Sequence, residues 1–305
     1  MKRGSLASAY LLLTMCALFW AGSVIAGRSL AGEVPPFALN FWRWLIAFAL
    51  AAPFGLRGVW GNREIIARNW RLLTMLAMFN MTAFGSLLFL ALERTEAING
   101  SLLIGSMPIN IVLVSLIILR VRITPRQSFG VALGFAGIAT IVCRGDPTVM
   151  LGLNVGIGDL ILWLGVNFYA LYSIYLPRVP KELGLMPMMT VLFAVGCLTS
   201  LPLYLWEAQV HGWPAPFGWH AFLGIGFMGI FPSLLAQVFW ASAVARVGAN
   251  TAGYFIYLAP FFGTVAAITL LGEQFVWFHA LGIALIFAGI FLATRGPAGN
   301  GGRGT

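Results

Sequence analysis

The stretch GVALGFAGI at residues 130–138 returns 152 positions later as GIALIFAGI at residues 282–290. Both copies are apolar and punctuated by Gly and Ala, the composition of a helix that packs closely on another helix in lipid. Moving outward with the same shift, Pro108 falls on Pro260, Arg94 on Arg246 and Ala97 on Ala249. Neighbouring shifts put Pro36 on Pro187 and Trp20-Ala21 on Tyr169-Ala170. An ordered series of matches of this kind is an internal duplication.

Each copy is expected to cross a membrane several times. Of the 305 residues 60% are hydrophobic and only 9% charged, with a mean hydropathy of +0.91. That leaves too little polar surface to coat a water-soluble body. A span needs about 20 mostly apolar residues and satisfies its backbone polar groups internally. Ten segments meet this requirement: 8–27, 36–54, 72–92, 97–119 and 127–143 in the first copy, and 158–176, 187–205, 221–241, 249–271 and 276–294 in the second. The run at 8–27 follows a short basic start like a signal peptide, but its counterpart in the second copy marks it as a retained span.

The formal charge of +9 sits in short clusters between apolar runs, not in the single stripe that nucleic-acid binding requires. With the N-terminus placed inside, only Arg28, Arg94 and Arg144 fall outside and only Arg43 within a span. Every other Lys and Arg falls inside. That asymmetry places both chain ends in the cytoplasm. Five spans per copy is an odd number, so the second copy enters the membrane from the side opposite to the first. The expected fold is therefore an all-α integral membrane protein of ten transmembrane helices. Residues 1–148 and 149–296 form two inverted five-helix repeats around a central cavity, and residues 297–305 form a cytoplasmic tail. Repeats of this type commonly enclose a site at the membrane midplane and rock about it.

Enzymatic chemistry finds no foothold. Cys16, Cys143 and Cys197 are far apart in apolar stretches, which suits neither a disulfide framework nor a zinc site. Asp146 and Asp159 are the only aspartates, too few for the paired carboxylates that hold a magnesium diphosphate. Neither a His-Glu-x-x-His nor a Walker-type sequence occurs, so no metal, cofactor or ATP hydrolysis is expected. A channel or receptor is the remaining rival, and neither explains an inverted duplication as directly.

Polar residues inside spans should face partner helices or a wet cavity. Asn250, Tyr254, Tyr257, Phe261 and Thr264 share one face of the ninth span, and Asp159, Trp163 and Asn167 one face of the sixth. Asn99, Ser106 and Asn110 line up in the fourth; the third offers Thr74, Met78 and Thr82, with Asn80 on another face, and the eighth Ser233, Gln237 and Trp240. From these come the expected substrate contacts: Trp20, Ser23, Met78, Asn80, Thr82, Asn99, Trp163, Asn167, Gln237, Tyr254 and Tyr257. Aromatic walls would suit an organic body, and amides or hydroxyls an amino-acid head group. The competing reading of any single polar residue is an ordinary interhelical hydrogen bond. Arg43, the one basic residue well inside a span, is expected either to meet a substrate carboxylate or to serve as a gating or structural charge, Asp159 to be a gating or structural charge, and Pro108 and Pro260 to shape their helices. Tyr10, Trp42, Trp44, Trp213 and Trp219 are expected to be interfacial anchors.

The chain resembles the drug/metabolite transporter superfamily, and within it proteins with two EamA domains. Trp20-Ala21-Gly22-Ser23 is similar to the family's Trp-x-x-Ser/Asn pattern, and Gly158-Asp159-Leu160 to its Gly-Asp-hydrophobic start. Pro108 and Pro260 match its mid-helix prolines, and Leu271-Gly272-Glu273 with Gly282 and Gly289 its closing signature. The first half departs from that signature, with Val121 where Glu would stand. The resemblance implies a basket of helices 1, 3, 4, 6, 8 and 9 around the cavity, helices 5 and 10 bracing it and helix 2 at the periphery. Length and aromatic richness look most like bacterial inner-membrane exporters of aromatic and other neutral amino acids. The expected partners are a small-molecule substrate and membrane lipid, with the monomer sufficient and no nucleic acid. No carboxylate or histidine falls deep within a span in this reading. Facilitated diffusion is thus favoured, and proton-coupled export of other metabolites or drugs, with Asp159 as its carrier, is the alternative.

Overall fold

The computed structural model describes residues 3–95, 97–121, 123–211, 218–271 and 275–294. Glu273 of the closing signature, Trp213 and the 297–305 tail lie outside the described residues. All ten apolar segments are helical. They are α1 Arg3–Ser29, α2 Pro36–Gly61, α3 Trp70–Leu92, α4 Ala97–Gly105 continued by Met107–Ile118, and α5 Pro125–Val142. The second copy holds α6 Ile157–Tyr175, α7 Leu185–His211, α8 Trp219–Val247, α9 Ala249–Tyr254 continued by Leu258–Leu271, and α10 Trp277–Thr294. Among the described residues seven helices are long and apolar enough to cross a membrane, and eight if the two pieces of α4 count as one span. Fewer pass than the ten expected because α5 opens on the polar run Arg126, Gln127, Ser128, and α9 is interrupted by a 3-10 turn at Phe255–Tyr257.

Both interruptions precede a proline. In α4 the axis bends by 44° between Asn99–Gly105 and Met107–Ile118, and Pro108 falls in the first turn of the second piece. There its missing N–H costs no helical bond. Pro260 likewise falls in the first turn of the piece that follows the 3-10 turn in α9. A second matched irregularity lies in α3 and α8. Each contains seven π-helical residues, Met78–Phe84 and Gly229–Leu235, 151 positions apart. Segments of this kind are rare and frequently sit at functional sites.

Helix partners follow the duplication. α2 packs on α7, α4 on α9 and α5 on α10, each helix against its own counterpart, while α1 meets α8 and α6 meets α3. Exchanging the two copies converts this set of contacts into itself. A close backbone seam joins the two glycine stretches. A Cβ on Gly130 would stand 2.7 Å from the Gly289 carbonyl oxygen, and one on Gly137 2.7 Å from that of Gly282. The helices therefore touch backbone to backbone and run antiparallel. Position 130 corresponds to 282 and 137 to 289, so the contact is isologous, each residue meeting the equivalent of the other's partner.

Trp44 does not serve as an interfacial anchor: it is fully buried. Its indole Nε1 donates to Asn40 Oδ1 at 3.0 Å and to the Met81 carbonyl at 3.0 Å. A helix flank in this bundle is a protein interface, and a tryptophan there has a polar partner without reaching the headgroups.

Candidate functional site

Where the halves meet, α1, α2, α3, α4, α6, α8 and α9 surround a chamber of about 70 Å³. Its polar and aromatic lining comes from both halves: Trp20, Ser23, Arg43, Asn80 and Phe84 from one, Tyr169 and Gln237 from the other. Val24, Ile104 and Ala259 also belong to the wall of a wider cavity of about 700 Å³, bounded by α1, α4, α5, α9 and α10. That cavity reaches Arg144 and His279, at the face where α1 ends and α10 begins. Aromatic rings cluster along the chamber wall. Trp20, Tyr169 and Trp240 lie 5.3 to 5.9 Å from one another, with Phe84 5.0 Å from Tyr169.

The chamber's polar groups are held by few bonds. Asn80 Nδ2 donates to Gln237 Oε1 at 2.9 Å, a link between α3 and α8, and Tyr172 donates to the same oxygen at 3.3 Å. Among the described residues, Asn80 Oδ1, Tyr169 Oη and, nearby on α8, Ser233 Oγ and Trp240 Nε1 are buried without a hydrogen-bond partner. Buried polar atoms are nearly always paired. A cluster without partners beside a cavity is a place where water or a solute completes the bonding.

Arg43 enters this chamber from α2, although the resemblance puts that helix at the periphery. Its position depends on Asn40, one turn earlier. Asn40 Nδ2 donates to the Met81 carbonyl at 2.8 Å and to Ser86 Oγ at 3.1 Å, which fixes the amide against the π-helical stretch of α3. Asn40 Oδ1 then accepts from Arg43 Nε at 3.2 Å. The faces of Trp44 and Phe89 lie 4.4 and 4.9 Å from the guanidinium carbon. Gly85 opposite leaves room for this approach, since a Cβ there would overlap Asn40 Oδ1.

Of the residues singled out in the sequence, Trp20, Ser23, Asn80, Gln237 and Arg43 meet at the chamber, and Thr264 and Pro260 line the wider cavity. The others lie elsewhere. Met78 and Trp163 are on the outer surface, 46% and 52% exposed. Thr82 bonds Thr199 of α7 at 2.6 Å, and Asn167 donates to the Trp163 carbonyl of its own helix. Tyr257 donates to the Val131 carbonyl at 3.0 Å, its ring filling the space over Gly134. Tyr254 is buried and lines neither cavity. Asn99 donates to Asp159 Oδ2 at 2.8 Å; Asp159 also accepts from Thr95 and from the Gly156 N–H, capping α6 and tying it to α4. Residues passed over include Tyr169, Met107, Pro232 and Asn40. Tyr169 had a signal in the sequence: it aligns with Trp20 at a neighbouring shift of the repeat, and the two rings meet edge to face at 5.9 Å.

The model of the EamA-like transporter family matches residues 7–143 and again residues 156–295. The chain belongs to the EamA-like transporter family. As a member it is a multi-pass membrane transporter of the drug/metabolite transporter superfamily. An uncharacterized transporter of Archaeoglobus fulgidus is 28% identical over 288 residues, covering 93% of this chain and 96% of the relative. A probable terminal-alkyne amino-acid exporter of Streptantibioticus cattleyicolor is 30% identical over 257 residues, covering 84% and 82%. One crystal structure superposes with a TM-score of 0.72 over 95% of this chain and 98% of its own, at 22% identity, which places the EamA chain in that fold.

Proposed function

We propose that this transporter exports neutral amino acids, aromatic ones among them, by alternating access between two inverted five-helix halves, residues 1–148 and 149–296. The observation that carries this reading is the chamber at the seam, walled from both halves by aromatic rings and by amide, hydroxyl and guanidinium groups. Support for inversion comes from the antiparallel glycine seam and from the matched π segments. With both chain ends in the cytoplasm of a bacterial inner membrane, the wider cavity faces outward and the Trp20, Tyr169, Trp240 cluster is the closed cytoplasmic side. The relative named for amino-acid export supports the substrate class.

Transport runs down the substrate gradient in this proposal, through a monomer. Among the described residues no carboxylate lines either cavity. The two buried carboxylates are helix caps: Asp159 at the start of α6, and Glu207, which accepts the Phe37 and Ala38 N–H groups at the start of α2. Such caps complement the helix dipole and leave little reason to exchange protons. A proton-coupled exporter is the second reading, favoured by one observation, the buried His279 in the wall of the wider cavity.

The test is efflux of labelled Phe, Tyr, Trp, Met and Thr from proteoliposomes of purified protein. Saturable flux that persists with the pH gradient and membrane potential collapsed is expected. Strict dependence on either gradient sinks the uniport reading, and indifference to every amino acid sinks the substrate class.

A further inference from the structure

We propose that Arg43 is the carboxylate-recognition group of the transport path, so that the substrate must present a free carboxylate. The inference rests on the reading of this chain as an amino-acid carrier and assigns the part of the substrate that Arg43, the one buried Lys or Arg among the described residues, reads. Arg43 is 5% exposed, within a helix long and apolar enough to span. A charge in that position needs an opposite charge, carbonyl oxygens or water. Among the described residues its guanidinium makes one hydrogen bond, from Nε to Asn40, and no ion pair. Trp44 and Phe89 cover it at 4.4 and 4.9 Å. Aromatic faces attract a cation but leave most of the five N–H donors of the fork unspent.

The surroundings turn that fork into a site. Asn40 holds Nε, so the guanidinium is oriented before any ligand arrives. Planar, oriented forks of this kind match a carboxylate with two parallel bonds. The chamber otherwise carries neutral polar groups, Ser23, Asn80 and Gln237, so Arg43 alone sets its charge. Size is the second constraint. A chamber of about 70 Å³ is a tenth of the wider cavity beside it and lies well below the volumes of about 300–1,000 Å³ that hold whole small molecules, so it suits a carboxylate better than the body of an amino acid. The wider cavity of about 700 Å³, which shares Val24, Ile104 and Ala259 with the chamber, has room for that body. The substrate thus lies with its acid end inward against Arg43 and its side chain towards α9 and α10.

The experiment uses purified full-length protein in proteoliposomes and three probes with one body: phenylalanine, phenylalanine amide and phenethylamine. Leucine and leucinamide form a second set. Wild type is expected to favour each acid over its amide by about tenfold or more in KM, the scale of a charge-assisted bond. Arg43→Gln should bring acid and amide within about twofold of each other while still moving the amide, and Arg43→Lys should keep part of the preference. Equal use of acid and amide by wild type overturns the assignment while leaving amino-acid transport intact. So does an Arg43→Gln variant that slows all probes alike, the mark of a purely structural arginine. Should Arg43→Gln not reach the membrane, the wild-type series and Arg43→Lys decide. Flux of an uncharged metabolite such as a nucleoside, with none for any amino acid, removes the functional reading and the Arg43 assignment together.

Discussion

Asn40 joins two helices through one amide and leaves Arg43 with a fixed direction. Replacing it with Leu strands Arg43 Nε and withdraws one of two acceptors from Trp44 Nε1. The expected cost is about 1–3 kcal/mol, visible as a lower melting temperature of the detergent-solubilised protein. Asn80 behaves differently. Asn80→Ala deletes the bond to Gln237, and interhelical bonds in membranes average about 0.6 kcal/mol. The melting temperature should hardly move while efflux falls by about tenfold or more; a large loss of stability with normal efflux makes Asn80 a structural residue. The contrast between these residues and Met78 or Trp163 shows where sequence reading stops. Shared helical faces in α3 and α6 were legible, but lipid is as apolar as the bundle interior. Periodicity therefore could not say which face looks inward, and Met78 and Trp163 lie on the outer surface.

At the scale of elements, the repeat at residues 130–138 and 282–290 told more than composition did, because its glycines exist for one close contact. Gly137→Leu puts a side chain where the Gly282 carbonyl oxygen stands 2.7 Å from the first added carbon. Overpacking of this kind costs about 1–3 kcal/mol or more, and the variant should express poorly or melt early. Gly226→Ala, with nothing within 4 Å of its added carbon, should melt like the wild type. Gly263 is equally open but lines the wider cavity. Gly263→Leu should therefore preserve the melting temperature and reduce efflux; unchanged efflux of bulky substrates places the path elsewhere. The breaks before Pro108 and Pro260 were legible from the prolines. The π segments were not, since nothing in Met78–Phe84 marks a wider turn without the α2 amide and indole that bond its Met81 carbonyl.

For the whole molecule, the decisive feature is a chamber walled by both halves that adjoins a wider cavity through Val24, Ile104 and Ala259 and is bordered by the rings of Trp20 and Tyr169. Duplication, charge asymmetry and the EamA-like family were readable from the chain. The small chamber and the wide cavity adjoining it were not, because each is assembled from helices distant in sequence. A carrier built this way must expose the same residue to both sides of the membrane in turn. Ser23 lines the chamber, and Cys16, Cys143 and Cys197 are free, buried thiols that can be replaced to leave a single reporter. The most direct measurement is reaction of Ser23→Cys with a membrane-impermeant thiol reagent, applied from either side of sealed vesicles, with and without substrate. Alternating access requires labelling from both sides, with substrate changing the two rates. Labelling from one side only, unaltered by any amino acid, contradicts it.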